Sequence, residues 1–339
     1  MFINTHYEQY NWKKDIALYQ RSNIKKSLWQ LTNTIVPFFV LWFLAYISFS
    51  VSVWITLAIT VPAACFLVRT FIIFHDCCHH SFFKNRWANE LVGIFTGLLT
   101  FFPYHQWKYE HGVHHAGNGN LNRRGAGDIT TLTVDEYLTL STFRQILYRL
   151  YRNPFVMFGL GPIFLLLIRY RLNRKGAGRR ERFNTHMTTT ALVGMAGLSC
   201  WGFGWERFLI IEGPILYLAG MAGIWLFYVQ HQFEDSYFEK EENWDYATAA
   251  LHGSSFYKLP KILQWLTGNI GFHHIHHLGP RIPNYNLQPL FQSKPYLQDV
   301  PTIGLLSSLR SLRYRVWDEQ SKKFIGFRGV VGLKSKSNI

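Results

Sequence analysis

Three groups of histidines in this chain have the spacing of metal ligands. They are His75 and His79 in HDCCH, His111, His114 and His115 in HGVHH, and His273, His276 and His277 in HHIHH. On a helix, positions i, i+3 and i+4 share one face, so each group is expected to direct its imidazoles at one point. A random chain of this composition would contain HxxHH about 0.03 times, so chance explains two copies poorly.

The number of histidines indicates the type of metal site. Imidazole binds iron, zinc, copper and nickel, so the residue type alone selects no metal. Eight ligands exceed the four of a structural zinc site and fit two ions with open positions for a small molecule. Neutral imidazoles leave the charge of the cations uncompensated, which favours a redox site that accepts oxygen ligands. The pattern therefore predicts dioxygen chemistry.

The composition predicts that this site lies beside a membrane. The chain is 48% hydrophobic and only 16% charged, which is low in charge for a soluble protein. No charged residue occurs from Ser27 to Val68, a stretch long enough for two helices of about 20 residues. We predict spans at 32–50 and 53–74, and a second pair at 187–205 and 213–229 separated by a segment around Glu206 and Glu212. The shorter apolar runs 91–102 and 155–168 are expected to be interfacial or buried.

The charges predict the orientation. The segment from Tyr104 to Phe183 contains 13 Lys and Arg against 5 Asp and Glu, which places it in the cytoplasm by the positive-inside rule. We therefore expect an all-α integral membrane protein, a single domain over 1–339. Its four transmembrane helices form two hairpins, and residues 75–186 and 230–339 form a cytoplasmic helical cap that holds the metal site.

Other residue types narrow the partners. The net charge of +15 lies around apolar spans, so anionic lipid headgroups and an acidic redox protein are expected partners rather than nucleic acid. The cysteines have no zinc-finger spacing, and Cys77 and Cys78 are expected to pack rather than to bind metal. The chain has no HPGG segment, no CxxC ligand set and no GxGxxG loop before a helix. Electrons are therefore expected from a separate carrier.

The local sequences resemble one protein family. HDCCHHSFF, WKYEHGVHH and NIGFHHIHH resemble the three histidine boxes of the membrane-bound fatty acid desaturases. The segments GNLNRRGAGDITTLTV, FYVQHQFED and GFHHIHHLGPRIPNYNL are similar to the acyl-lipid desaturases of Bacillus that introduce a cis double bond at position 5. The resemblance extends from the first span to Leu287.

The resemblance implies a complete activity. It implies an oxidoreductase that uses O2 and two iron ions, cycling between Fe2+ and Fe3+, to place a cis double bond in a saturated, lipid-linked acyl chain. A ferredoxin or flavodoxin would supply the electrons. The enzyme would lie in the bacterial inner membrane with its active site on the cytoplasmic side.

The resemblance also implies roles for individual residues. The eight box histidines would be iron ligands, with His231 in QHQFE as a ninth; its alternative is an interfacial histidine at a helix end. Asp76 would accept a hydrogen bond from a ligand imidazole, or be an ordinary charge at a helix N-terminus. Asn269 would hold a metal-associated water; its alternative role, which is compatible with the first, is to cap the N-terminus of the helix that carries the third box. His80 and His274 project about 100° away from the neighbouring ligands, which favours packing or supporting roles.

Four further histidines lie outside the three groups. His6, His105, His186 and His252 are isolated, and such residues usually lie at a surface or in a core.

A diiron hydroxylase or ketolase of a lipid or hydrocarbon is the nearest alternative function, because such enzymes also have histidine boxes. A histidine-rich metal transporter is disfavoured, because the predicted spans contain almost no ionisable residues for an ion path.

Overall fold

The chain forms a mainly helical protein. The structure is a computed structural model and describes residues 10–125 and 127–336. Its α-helices are α1 Trp12–Ala17, α2 Ile24–Ser48, α3 Val53–Cys78, α4 Arg86–Leu99, α5 Tyr104–Gly117, α6 Val134–Thr139, α7 Thr142–Tyr151, α8 Gly161–Ile163, α9 Arg179–Phe203, α10 Trp205–His231, α11 Tyr246–His252, α12 Lys261–Leu266, α13 His273–Leu278, α14 Asn284–Ser293 and α15 Phe327–Lys336. Helical turns of π type at Phe155–Leu160 and Phe164–Ile168 flank α8 and continue into a 3₁₀ turn at Arg169–Arg171.

Four short strands modify the all-α expectation. Strand β1 Phe256–Lys258 pairs in parallel with β2 Thr302–Gly304, and β3 Val316–Asp318 pairs antiparallel with β4 Lys323–Ile325. Further 3₁₀ turns lie at Glu241–Asn243, Pro295–Leu297 and Ser307–Arg313. Each strand has three residues, too short for the alternation of apolar and polar side chains to mark it in the sequence.

The first two long helices, α2 and α3, pack as a pair in the region of the first two predicted spans. The Asn23 side chain accepts hydrogen bonds from the first backbone N–H groups of α2, so this helix begins eight residues before the predicted boundary. Small side chains allow the pair to pack closely, and Ala45 and Ala63 are completely buried. Helix α3 continues to Cys78. The first histidine group therefore occupies the last turns of a long apolar helix.

The second long pair turns at a single residue. Gly204 has a φ of 88° between α9 and α10, a conformation that glycine adopts without strain. Close to this turn, Arg207 donates to the Ser50 hydroxyl at 3.0 Å, and Phe203 packs on Tyr46. The turns of both helix pairs therefore lie at the same end of the molecule.

The predicted connection around 206–212 is wrong. Helix α10 begins at Trp205, so Glu212 lies inside the helix. Its carboxylate accepts a hydrogen bond of 2.9 Å from the Trp42 indole. This hydrogen bond allows Glu212 to lie within the helix, whereas the sequence predicted that Glu212 would lie between two helices.

Within residues 10–125 and 127–336, three helices are long and apolar enough to cross a membrane. They are α2, α3 and α10, and the bent segment formed by Thr142–Tyr151 and Phe155–Arg171, with a 59° kink, would be a fourth if it is counted as one span. Among the described residues, α9 does not belong to this set. It has 25 residues, but Thr188, Thr189 and Thr190 and several glycines lower its hydropathy. The predicted span at 187–205 thus stays a prediction.

Helix α4 packs tightly against the end of α3 through a glycine. A Cβ atom on Gly97 would lie 2.6 Å from the Phe102 carbonyl oxygen and 2.8 Å from the Phe74 ring. By contrast, a Cβ atom on Gly194 in α9 would have no neighbour within 4 Å. Gly97 is therefore buried in a tight contact between helices, whereas Gly194 is exposed and has space for a side chain.

We expect Gly97→Ala to destabilise the protein by about 1–3 kcal/mol, because a backbone oxygen must move to admit the methyl group. Gly194→Ala should be neutral or stabilise by up to about 1 kcal/mol, because alanine is the better helix former. Thermal unfolding of the two purified variants in detergent measures the difference. Equal shifts in the unfolding midpoint would contradict the packing of α4 on α3.

Candidate metal centre

Four helices converge where the predicted ligands lie. Helix α3 ends with the first histidine group, α5 carries the second, α10 ends at His231, and α13 carries the third. The structure brings all nine predicted ligands together, in two groups whose candidate ligand atoms lie within 4.8 Å of one another. One group consists of His75, His79, His111, His115 and His276, and the other of His114, His231, His273 and His277.

Each HxxHH motif contributes histidines to both groups. In α5, His111 and His115 belong to the five-histidine group, whereas His114 belongs to the four-histidine group. Residues four apart lie nearly above one another on a helix, and the residue between them points about 100° away from its neighbour. The expectation that each motif directs three imidazoles at one point is therefore wrong. Helix α5 and helix α13 lie between two sites and contribute to both.

The spacing of the ring nitrogens fits metal coordination. Neighbouring Nε2 atoms lie 2.9–3.1 Å apart in the pairs His75–His111, His111–His115, His115–His276, His231–His273 and His273–His277. Two nitrogens bound at about 2.0–2.1 Å to one ion, at right angles, would be about 3 Å apart. The Nε2 atoms of His79 and His114 are buried and have no hydrogen-bond partner among the described residues. The donor set thus fits two metal ions.

Burial favours the neutral form of three ligand candidates in the five-histidine group. It lowers the pKa of His111, His115 and His276 well below the usual value, and the surrounding imidazoles lower it further. A neutral imidazole keeps a lone pair for a cation, so no proton has to be displaced at pH 7.

Two ligand candidates are oriented by contacts through their other nitrogen. The Nδ1 atom of His231 lies 3.1 Å from the carbonyl oxygen of Gly253, so an N–H there directs Nε2 into the four-histidine group. The Nδ1 atom of His114 contacts the carboxylate of Asp128 in the same way. A carboxylate behind a ligand imidazole fixes its tautomer and raises its basicity. Sequence reasoning missed Asp128, which lies in a glycine-rich loop without any diagnostic spacing.

Asp76 differs from its predicted role. Its Oδ1 atom is 3.6 Å from His75 Nδ1, too far for a hydrogen bond. Its Oδ2 atom instead accepts two bonds of 2.8 Å, from the backbone N–H and the side-chain amide of Asn284. Asp76 therefore holds the start of α14 against the end of α3. It is also not a helix N-terminal charge, because it lies in the last turn of α3.

Asn269 lies in the turn before the third box. It adopts a left-handed conformation with a φ of 60°, and its side-chain amide donates to the Asn284 carbonyl at 3.3 Å. The N-cap of α13 is Phe272, so a capping role for Asn269 is wrong. Its role in holding a water stays a prediction.

The other described histidines lie outside both groups. His274 is completely buried, and its Nε2 atom lies 3.0 Å from the Leu297 carbonyl oxygen. His80 contacts the Lys108 amine at 2.5 Å. Elsewhere, His105 contacts Glu90, His186 contacts Asn173, and His252 ends α11. His6 lies outside the described residues. Cys77 and Cys78 are buried free thiols that belong to neither group.

The sequence of this chain is similar to those of known proteins. Residues 52–302 match the family described as fatty acid desaturase. The chain belongs to this family. The desaturase is 56% identical over 317 residues to a Bacillus subtilis protein named fatty acid desaturase, covering 94% of this chain and 90% of that protein.

More distant relatives have more specific names. A Synechocystis sn-1 oleoyl-lipid 12-desaturase is 27% identical, covering 66% of this chain and 63% of its own length. A Nostoc sn-1 acyl-lipid omega-3 desaturase (ferredoxin) is 26% identical, covering 64% of this chain and 61% of its own length. This desaturase is therefore an oxidoreductase of a family that includes acyl-lipid desaturases.

Proposed function

We propose that this desaturase introduces a cis double bond at position 5 of a saturated acyl chain that is linked to a membrane lipid. The observation that carries the proposal is the pair of buried histidine groups at the ends of long apolar helices. The names of relatives that act on lipid-linked chains support the substrate class. The position rests on the similarity of the segments around the boxes to Bacillus acyl-lipid desaturases.

We propose that each histidine group binds one iron ion. The ligands are the nine histidines of the two groups, and Asn269 holds a water beside them. Imidazole nitrogens at mutual distances near 3 Å suit a first-row transition metal, and the family resemblance favours iron among these metals. When bound, iron would supply redox chemistry in which O2 and two external electrons remove two hydrogens from an unactivated methylene pair and O2 is reduced to water, a reaction that amino-acid side chains alone do not perform.

The protein positions the ligands and excludes water. Trp107 stacks on His111 with a centroid distance of 4.2 Å, and Phe227 packs against both His114 and His231. These rings cover the histidine groups with apolar surface, and His75 is likewise buried. A water-poor site protects a strong oxidant from side reactions.

We propose that four helices cross the membrane and that the iron site is cytoplasmic. The helices are α2, α3, α9 and α10, with both turns at the end remote from the histidines. Arg179, Arg180 and Arg182 open α9 on the histidine side, and cationic residues are enriched in cytoplasmic segments. The bent segment from Thr142 to Arg171 then lies at the cytoplasmic interface, where its exposed apolar side chains contact lipid.

An external protein is proposed to supply the electrons. The chain has an excess of cationic residues, which attracts a small acidic ferredoxin or flavodoxin by long-range steering. One relative carries ferredoxin in its name.

The test is expression in a host that makes only saturated fatty acids, with a ferredoxin or flavodoxin as donor. We expect double bonds at position 5 of lipid-linked chains, formed only with O2 and located by mass spectrometry of derivatised lipids. A His276→Ala variant is the inactive control. Hydroxylated chains would indicate a hydroxylase instead. Unchanged lipids with an iron-loaded protein and a competent donor would contradict the proposal.

A further inference from the structure

A cavity of about 620 Å³ opens directly over the five-histidine group. Its walls come from α1, from the end of α3, from α5 and from the segment after α13. His79 lies in the wall, and it is the one member of the five-histidine group that is not buried. The cavity therefore borders the five-histidine group from outside, with the His79 Nε2 atom itself buried behind the partly exposed ring.

The rim of the cavity is positively charged. It contains Lys13, Lys108 and Arg281, and the described residues that line the cavity include no Asp or Glu. Among the described residues, none of these three cations has a carboxylate within ion-pair distance. Lys108 is half-buried against the Tyr104 ring and His80, so its position is fixed. Such a rim favours an anionic ligand.

The lining of the cavity includes an exposed glycine, Gly112, that packing does not require. Gly112 lies inside α5 between the ligand candidates, where glycine costs about 0.5–1 kcal/mol relative to alanine. A Cβ atom there would meet nothing within 4 Å, and the residue has no positive φ. Neither the fold nor the backbone conformation explains it. The space in front of Gly112 is available to a bound molecule.

The cavity lies at the level of lipid headgroups in the proposed topology. Helix α3 has 26 residues, or about 39 Å at 1.5 Å per residue. The hydrocarbon core is about 30 Å thick, so the last turn of α3 and His79 reach the headgroup region. Trp12 and Lys13 of α1 border the cavity at the same level, and such residues favour the membrane interface.

We propose that this cavity binds the phosphate-bearing headgroup of a phospholipid whose acyl chain is the substrate. The inference rests on the proposed function. Its volume is that of a small-ligand site rather than a protein docking surface. Lys13, Lys108 and Arg281 hold the phosphate, while the apolar side chains of Ile16 and Leu278 contact the glycerol end. The bound headgroup then fixes the distance between the ester and the carbons that react.

Binding of soluble short-chain lipids to the purified, iron-loaded full chain tests this inference by titration calorimetry. The probes are dihexanoyl phosphatidylglycerol, dihexanoylglycerol without phosphate, and glycerol 3-phosphate without acyl chains. We expect the phosphatidylglycerol to bind at least about tenfold more tightly than either fragment, since charge-assisted contacts to phosphate are strong. The double variant Lys13→Gln/Arg281→Gln should lose at least about tenfold of that affinity.

The matched control is Lys261→Gln/Arg310→Gln, which removes the same charge from exposed sites away from the cavity. It should bind the lipid as the unchanged chain does. Gly112→Leu should abolish lipid binding while the iron content per chain stays constant, which separates blocking of the cavity from loss of the fold.

Three results would overturn the inference. They are equal affinity for the lipid without phosphate, equal affinity for glycerol 3-phosphate alone, and a loss in the control as large as that in the cavity variant. A fourth result, unchanged lipid binding by the cavity variant with a raised KM for the reduced carrier, would also overturn it and make the rim a protein docking surface. Desaturation by the same preparation is measured separately, so failure of the headgroup site and failure of the proposed function are distinguishable.

Discussion

Replacing His231 by alanine is expected to remove one of two metal ions. The four-histidine group would lose the Nε2 atom that lies 2.9 Å from His273 Nε2, leaving three imidazoles. We expect the iron content to fall from about two to about one ion per chain and desaturation to fall by more than about 100-fold, since even residues behind the ligands change metal sites by about 10–100-fold. Metal analysis and product quantification measure both effects.

His274→Ala is the matched control for that variant. His274 is as deeply buried and adjoins His273, yet its ring nitrogen contacts the Leu297 carbonyl rather than another ligand candidate. Its loss should cost about 1–3 kcal/mol of stability, through an unsatisfied buried carbonyl, while iron is retained. If His231→Ala keeps its full iron content, or if both variants lose iron equally, the assignment of His231 is wrong.

Asp128→Asn is expected to weaken the same site without removing a ligand. The amide keeps the shape of the side chain and an acceptor oxygen but loses the negative charge that faces His114 Nδ1. We expect metal affinity at the four-histidine group to fall by about 10–100-fold, the usual effect of losing a carboxylate behind an imidazole ligand. Competition with a chelator, followed by metal analysis, measures the affinity.

Asp135→Asn provides the comparison, because Asp135 is an exposed carboxylate in the first turn of α6. It removes the same charge from the chain and should leave the metal affinity unchanged. An Asp128→Asn variant that holds both metals as tightly as the Asp135→Asn variant would show that the carboxylate does not support His114.

The sequence predicted which histidines lie close together, but not how they are distributed between the two groups. Spacing of three and four residues identifies one helix face from local geometry alone. The assignment of His114 to one group and of His111 and His115 to the other depends on how α5 lies between α10 and α3. That arrangement is set by packing between distant segments. It leaves no mark in the spacing of any single motif.

The residues that support the site were harder to predict for the same reason. Asp76 and Asn284 are joined across 208 positions of sequence, and Asp128 reaches His114 from a loop. Neither contact follows from periodicity. The span boundaries around Gly204 were displaced because Glu212 suggested a helix end, whereas the indole of Trp42 satisfies that carboxylate inside the helix pair.

The most direct test of the two-metal account is anomalous diffraction from crystals of the iron-loaded full chain at energies on both sides of the iron absorption edge. We expect two peaks of iron, one among His75, His79, His111, His115 and His276 and the other among His114, His231, His273 and His277. A single peak shared by both groups, or two peaks whose signal does not change across the iron edge, would contradict the account.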